Sequence, residues 1–148
     1  LVHRFAVSNT NIRYSYSRLV SGSPLTQYSM DEDAGNNFRI VTTLSSWSGG
    51  TNTSTTRLSV LNPSGTIIGS LPNIAPGENF QSSRFIGNRL YLVTFQQIDP
   101  LFVIDIANPK SPKILGELKI PGYSTYLHPY DENRIIGLGY DTITNKWG

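Results

Sequence analysis

At 148 residues and 38% hydrophobic composition the chain is about the size of one domain and can bury a core. Its 12 basic and 10 acidic residues leave a net charge of +2, and they are scattered, which excludes the basic stripe of a nucleic-acid binder. The absence of cysteine excludes a disulfide framework, a thiolate metal site and a cysteine nucleophile, and no apolar run approaches the ~18 residues of a membrane span.

The periodicity is that of strands almost everywhere. Residues 2–7 and 12–20 read as a strand pair ending at Ser21-Gly22; because Leu1-Val2-His3-Arg4-Phe5 reads like the middle of a strand, the chain is expected to be cut from something longer. Four strands are then expected at 25–30, 38–44, 56–61 and 66–71, with the Gly/Ser/Thr-rich stretch from Ser45 to Thr55 as a mobile hairpin tip. A second set follows at 80–86, 89–95, 101–106 and 113–120. Its runs Arg89 to Phe95 and Leu101 to Ile106 are rich in β-branched and aromatic residues and bounded by Gly87-Asn88, Asp99-Pro100 and Asn108-Pro109. Residues 124–128 and 134–140 read as a last pair, and Thr144 to Gly148 as a turn leading onward. No window offers a capped amphipathic helix of ten or more residues.

The two central sets are near copies. Asn62-Pro63 returns as Asn108-Pro109 after 46 residues, Gly69 of Ile68-Gly69-Ser70-Leu71 as Gly116 of Leu115-Gly116-Glu117-Leu118 after 47, and Pro76-Gly77 as Pro121-Gly122 after 45. A period of that length is one β-propeller blade. The expected fold is all-β, a partial β-propeller of four-stranded antiparallel sheets: outer strands of one blade at 1–22, complete blades at 24–77 and 78–122, and inner strands of another at 123–148. Asn133-Arg134-Ile135 matches Asn88-Arg89-Leu90 at a separation of 45. The sum is about three blade-equivalents, whereas closed propellers hold roughly 4–8 blades.

Longer motifs carry a resemblance. Gln27-Tyr28-Ser29-Met30-Asp31-Glu32, Phe38-Arg39-Ile40-Val41-Thr42-Thr43, Ser83-Arg84-Phe85-Ile86-Gly87-Asn88-Arg89 and above all Pro121-Gly122-Tyr123-Ser124-Thr125-Tyr126-Leu127-His128-Pro129-Tyr130-Asp131-Glu132-Asn133 resemble the secreted bacterial and archaeal β-propeller domain family, distantly related to WD-repeat proteins. The resemblance covers residues 24–140, and the longer 45–55 hairpin departs from it. It implies a larger secreted or surface-anchored parent, hence an extracellular or cell-surface location, with no assigned activity.

Several residues invite a chemical reading. His128, at the end of an inner strand, is a candidate metal ligand or general base, but needs a second histidine or a convergent carboxylate; His3 is the only other histidine. Asp31 and Asp131 are the carboxylates that could join it, giving a possible site for calcium or another divalent ion. Asp31 to Asn37 spaces oxygen ligands faintly like a calcium loop, yet lacks the downstream glutamate, so a hairpin turn is favoured; Asp131-Glu132-Asn133 holds the same place in its own repeat. Asp105 is expected to accept backbone N–H bonds from the turn that follows it. No Gly-x-Ser-x-Gly elbow occurs, and Ser48-Gly49-Gly50-Thr51 lacks the lysine of a phosphate loop. Among the aromatics, Trp47, Tyr126 and Tyr130 are the binding candidates, because such rings tolerate half-exposure at a rim.

The residues thus point to a non-enzymatic binding or scaffolding module contacting protein or polysaccharide at the propeller rim. The alternative is a metal-dependent hydrolase or lactonase with a central-channel site. Complementary half-blades at the two ends also predict that two chains close head to tail as a homodimer.

Overall fold

The structure is a computed structural model that describes residues 1–48, 50–95, 99–120, 122–131 and 133–141. The turn expected at 144–148 lies outside the described residues, as does Glu132 of the Asp131 turn. The elements in chain order are β1 (Val2–Ser8), β2 (Asn11–Arg18), a 3₁₀ turn (Gln27–Ser29), β3 (Met30–Glu32), β4 (Phe38–Ser48), β5 (Thr51–Leu61), β6 (Ile67–Ile74), β7 (Asn79–Ile86), β8 (Arg89–Phe95), β9 (Asp99–Asp105), β10 (Lys113–Ile120), β11 (Tyr123–Pro129) and β12 (Ile135–Tyr140). They form four antiparallel sheets: β1-β2, β3-β4-β5-β6, β7-β8-β9-β10 and β11-β12. This is the all-β partial propeller read from the repeat. Among the described residues no helix is long and apolar enough to cross a membrane.

Two local expectations are corrected. The stretch from Ser45 to Thr55 is not a loose tip: β4 and β5 pair in unbroken register from Phe38↔Leu61 to Ser48↔Thr51. Its threonines are β-branched and suit a pleated ladder even without a core to join, a preference that the Gly/Ser content masked. The first inner strand, expected over 25–30, is instead the 3₁₀ turn followed by only Met30–Glu32. There Thr26 accepts from the Tyr28 amide at 3.2 Å and Ser29 Oγ accepts from the Thr26 amide at 3.3 Å, a capping box that makes helical turn geometry locally preferable to a strand.

The core lies between sheets. Val41, Leu58 and Ile74 of the first complete sheet pack with Phe80, Leu90, Leu92, Phe102, Ile104 and Ile106 of the second. Because a blade is covered on both faces, its middle strand reads as a continuous rather than alternating apolar run, and Leu90, Tyr91, Leu92, Val93 and Thr94 are all buried. The last half-sheet adds Leu127, which packs with Tyr91 and Val93. The Pro-Gly echo is a turn requirement, since Gly77 and Gly122 take φ of 86° and 79°, open to glycine at no steric cost.

Strand β7 is stitched to the sheets on both sides. Ser82 Oγ donates to the Ser124 carbonyl at 2.7 Å, Arg84 Nε to the Leu127 carbonyl at 2.8 Å, and Ser83 Oγ to the Tyr28 carbonyl at 3.3 Å. Successive side chains of a strand point to opposite faces, so neighbouring serines on one strand can serve two different blades.

Candidate functional site

The 3₁₀ turn before β3 and the inner strands β7 and β11 converge at Arg84. Its guanidinium carbon lies 3.8 Å from the centre of the Tyr28 ring and 5.1 Å from that of Tyr126. The two rings meet edge to face at 5.8 Å and 64°. Tyr126 carries the group onward: its hydroxyl lies 3.2 Å from His128 Nδ1, with the rings 6.1 Å apart. The bond from Arg84 Nε to Leu127 fixes one edge of the guanidinium. Among the described residues its two Nη groups make no hydrogen bond, so the remaining edge is free to fork onto a planar anion. Tyr28 is 38% exposed, which leaves an aromatic face beside that fork.

The other candidates fall elsewhere. Trp47 stands near the end of β4, 73% exposed and opposite Asn52 in the ladder. Tyr130 is exposed, with the Arg134 guanidinium 5.0 Å above its ring. Of the three residues considered as metal ligands, Asp31 is ion-paired to Arg39, Asp131 accepts from Arg134 Nε at 2.6 Å, and His128 faces Tyr126. Among the described residues no three His, Cys, Asp or Glu side chains stand together where they could hold an ion. The structure thus brings Tyr126 and His128 together and gives each of the two aspartates an arginine.

Turn chemistry accounts for the acidic clusters. Asp33 Oδ1 accepts from the amides of Gly35 and Asn37 at 2.8 and 2.9 Å, and the Asn37 side-chain amide donates to both its oxygens. Asn36 supplies the left-handed residue, φ 59°, a conformation asparagine tolerates. Asp105 Oδ1 accepts from the Ala107 amide at 2.9 Å, as expected, and Asn62 does the same for Ser64 and Thr66. Asp131 closes its turn through the Asn133 amide at 2.9 Å.

These bonds shift the carboxyls. Partial burial pushes Asp33 up, but the Asn37 side chain and the Asn37 and Gly35 amides outweigh it and hold the group below its ordinary value. The Asn133 amide, with Arg134, does the same for Asp131 against a small desolvation. A folded-state pKa below the unfolded one gives stability that is present above the unfolded value, about 3.9, and is lost as pH falls through the folded value. Asp33→Ala is therefore expected to lower the urea midpoint at pH 7, and the gap to the parent should close below about pH 4. A gap that stays constant down to pH 2.5 would assign the effect to something other than the carboxylate.

Sequence reasoning made Tyr126 a binding candidate but not Arg84 or Tyr28. Nothing in the spacing announces the cluster, because the three side chains are 56 and 42 residues apart in the chain and meet only across blades.

Comparison with known proteins agrees with this architecture. The chain is 45% identical over 122 residues to an uncharacterised protein of Methanocaldococcus jannaschii, covering 82% of this chain and 19% of that one. It is 41% identical over 120 residues to an uncharacterised protein of Archaeoglobus fulgidus, covering 81% and 18%. The chain therefore spans about a fifth of the length of the curated relatives it matches. No solved structure matches it significantly. The beta propeller domain family matches over residues 1–148, and with its four antiparallel sheets and blade-length repeat the chain belongs to that family.

Proposed function

We propose that this propeller segment is a non-enzymatic binding module, acting outside the cell or at its surface, whose inner-strand face takes up a carboxylated polysaccharide. The observation that carries the reading is the Tyr28, Arg84 and Tyr126 group: an arginine held by one edge between two rings, with its other edge unbonded. A guanidinium fork matches a carboxylate bidentately, and the neighbouring ring gives the apolar face of a sugar something to stack on. Trp47, exposed on its long hairpin, supplies a second stacking ring for an extended chain.

Calorimetric titration with polygalacturonate, using dextran as the neutral counterpart, tests this. Binding of the acidic polymer alone is expected, and Arg84→Lys should weaken it by about tenfold or more, since a charged hydrogen bond contributes roughly 1.5–3 kcal/mol. Equal binding of dextran, or unaltered affinity in a folded Arg84→Lys chain, would sink the reading.

A further inference from the structure

We propose that the cleft between the two complete blades, at the base of the β4-β5 hairpin, binds a short neutral oligosaccharide of N-acetylated sugars. The cleft holds about 580 Å³, and Leu25, Thr43, Ser45, Ser54, Asn79 and Phe80 are among its lining. Small-molecule sites occupy roughly 300–1,000 Å³. Every lining residue lies between 22 and 80, so the walls are the linker into the first complete sheet, that sheet, and the first strand of the next.

Strand pairing shows that this gap departs from the repeat. Three pairs hold the same place in successive blades: Ser23 with Thr43, Asn79 with Phe95, and Tyr123 with Tyr140. Val41-Thr42-Thr43 and Val93-Thr94-Phe95 carry the same correspondence along the chain. Where the second complete blade meets β11, the facing members are Phe95 and Tyr123, whose ring centres lie 4.8 Å apart and close the junction. Where the two complete blades meet, the facing members are Thr43 and Asn79, and both line the cleft. Two small polar side chains stand where the neighbouring junction has two aromatic ones, and the space between them stays open.

The walls are polar and uncharged. Ser45 and Ser54 are paired across the hairpin, and Thr43 lies two residues before Ser45, so the three share one face. It is the face of Val41 and Leu58, which pack with Phe80. Among the described residues the hydroxyls of these three and the Asn79 side-chain amide make no hydrogen bond within the chain. Thr56, opposite Thr43 and two residues beyond Ser54, shares that face; it is fully buried and its hydroxyl has no partner either. A buried polar group without a partner is unfavourable, and both neighbours of Thr56 on that face line the cleft. No lining residue is charged, which leaves nothing to pair a carboxylate or an ammonium group. A sugar hydroxyl both donates and accepts, which suits serine, threonine and asparagine side chains.

Pro24, Leu25 and Phe80 add apolar surface to the same cleft. An acetamido group brings a methyl for that surface and an amide that pairs with the Asn79 amide, donor to acceptor on both sides. A plain glucan brings neither. Trp47, two residues beyond Ser45 on the same face and exposed, offers a ring for the apolar face of a further sugar. The cleft is separate from the Arg84 group, since Asn79 and Arg84 stand five residues apart on β7, roughly 17 Å along a strand.

Calorimetric titration of the unmodified chain with N,N′-diacetylchitobiose is the test, with cellobiose as the disaccharide that lacks the acetamido groups. Binding of the acetylated sugar alone is expected. No binding of it, or equal binding of cellobiose, overturns the proposal. The variant Thr43→Phe/Asn79→Tyr installs the aromatic pair that closes the neighbouring junction; it is expected to abolish chitobiose binding and to leave the response to polygalacturonate as in the parent. Retained chitobiose binding in the folded variant would place the sugar elsewhere and overturn the assignment, and a parallel loss of both polymers' binding would overturn the separation of the two sites. Should that variant not fold, Ser45→Ala on the exposed hairpin takes its place. A weakening of about threefold to tenfold is expected there, the size of one neutral hydrogen bond, and unaltered affinity overturns the proposal.

Discussion

Asp31→Ala is expected to lower the folding stability of the chain by about 3 kcal/mol, the low end of the range for breaking a buried ion pair from one side. Its partner Arg39 is only 3% exposed, on β4 at the face between the complete blades. Arg39 Nη2 donates to Asp31 Oδ2, Nη1 donates to the Gly87 carbonyl at 3.1 Å, and the guanidinium lies 5.4 Å from the centre of the Phe85 ring. Removing the carboxylate leaves a buried cation tied to one carbonyl, with its Nε already without a partner. Asp31 itself keeps a third of its side chain exposed, so water can relieve part of the loss, which is why the low end applies. The companion variant Asp31→Leu/Arg39→Met should recover to within about 1 kcal/mol of the parent, because replacing both charges by apolar groups removes the uncompensated one. Urea unfolding with an unchanged slope is the measurement. If Asp31→Ala unfolds within 1 kcal/mol of the parent, the carboxylate is not what compensates the buried Arg39.

The second large effect separates two glycines that the repeat makes equivalent. Gly69→Ala is expected to cost about 2 kcal/mol or more, while Gly116→Ala is expected to be neutral or slightly stabilising. A Cβ on Gly69 would sit 2.0 Å from the Pro109 carbonyl oxygen and 3.0 Å from Lys110 Cα. Both obstacles are backbone of the next blade, so the sheets themselves must move apart, and overpacking of this kind costs roughly 1–3 kcal/mol. Gly116 has nothing within 4 Å of the added atom and no left-handed φ, so alanine there recovers up to about 0.5–1 kcal/mol of the strand penalty that glycine carries. The pair is read from two denaturation curves at low protein concentration. Equal losses at both positions would mean that glycine is required by the strand itself and not by the neighbouring blade.

Those two glycines mark how far the residues can be read before the fold is known. The apolar-Gly-x-Leu step at 69 and 116 identifies a blade repeat with certainty of position, since it is a property of each strand with its immediate neighbours. What a side chain would meet at that position is a property of the adjacent blade. The same division runs through the candidate site. Asp33, Asp105 and Asp131 were legible as turn residues because an aspartate bonds amides two residues on, a distance within any sequence window. The Ser45 to Thr55 hairpin was misread because glycine and serine content outweighed the β-branched threonines, which pair across the whole length of the ladder. Arg84 and Tyr28 were not legible as a site at all, since one is an ordinary strand residue and the other an ordinary turn residue until Tyr126 arrives from the next blade.

The sequence by itself determined the all-β class, the blade-length period and the chemistry of the turns, because strand alternation, turn residues and repeat spacing are local physical constraints written over a few residues each. Only the tertiary structure decided which groups meet across blades: the Arg39 guanidinium on the Gly87 carbonyl, and the arginine held against Tyr28 and Tyr126. Contacts between blades join residues some 40 to 55 positions apart, and no local preference specifies them. They follow from how twisted sheets stack face to face around a common axis.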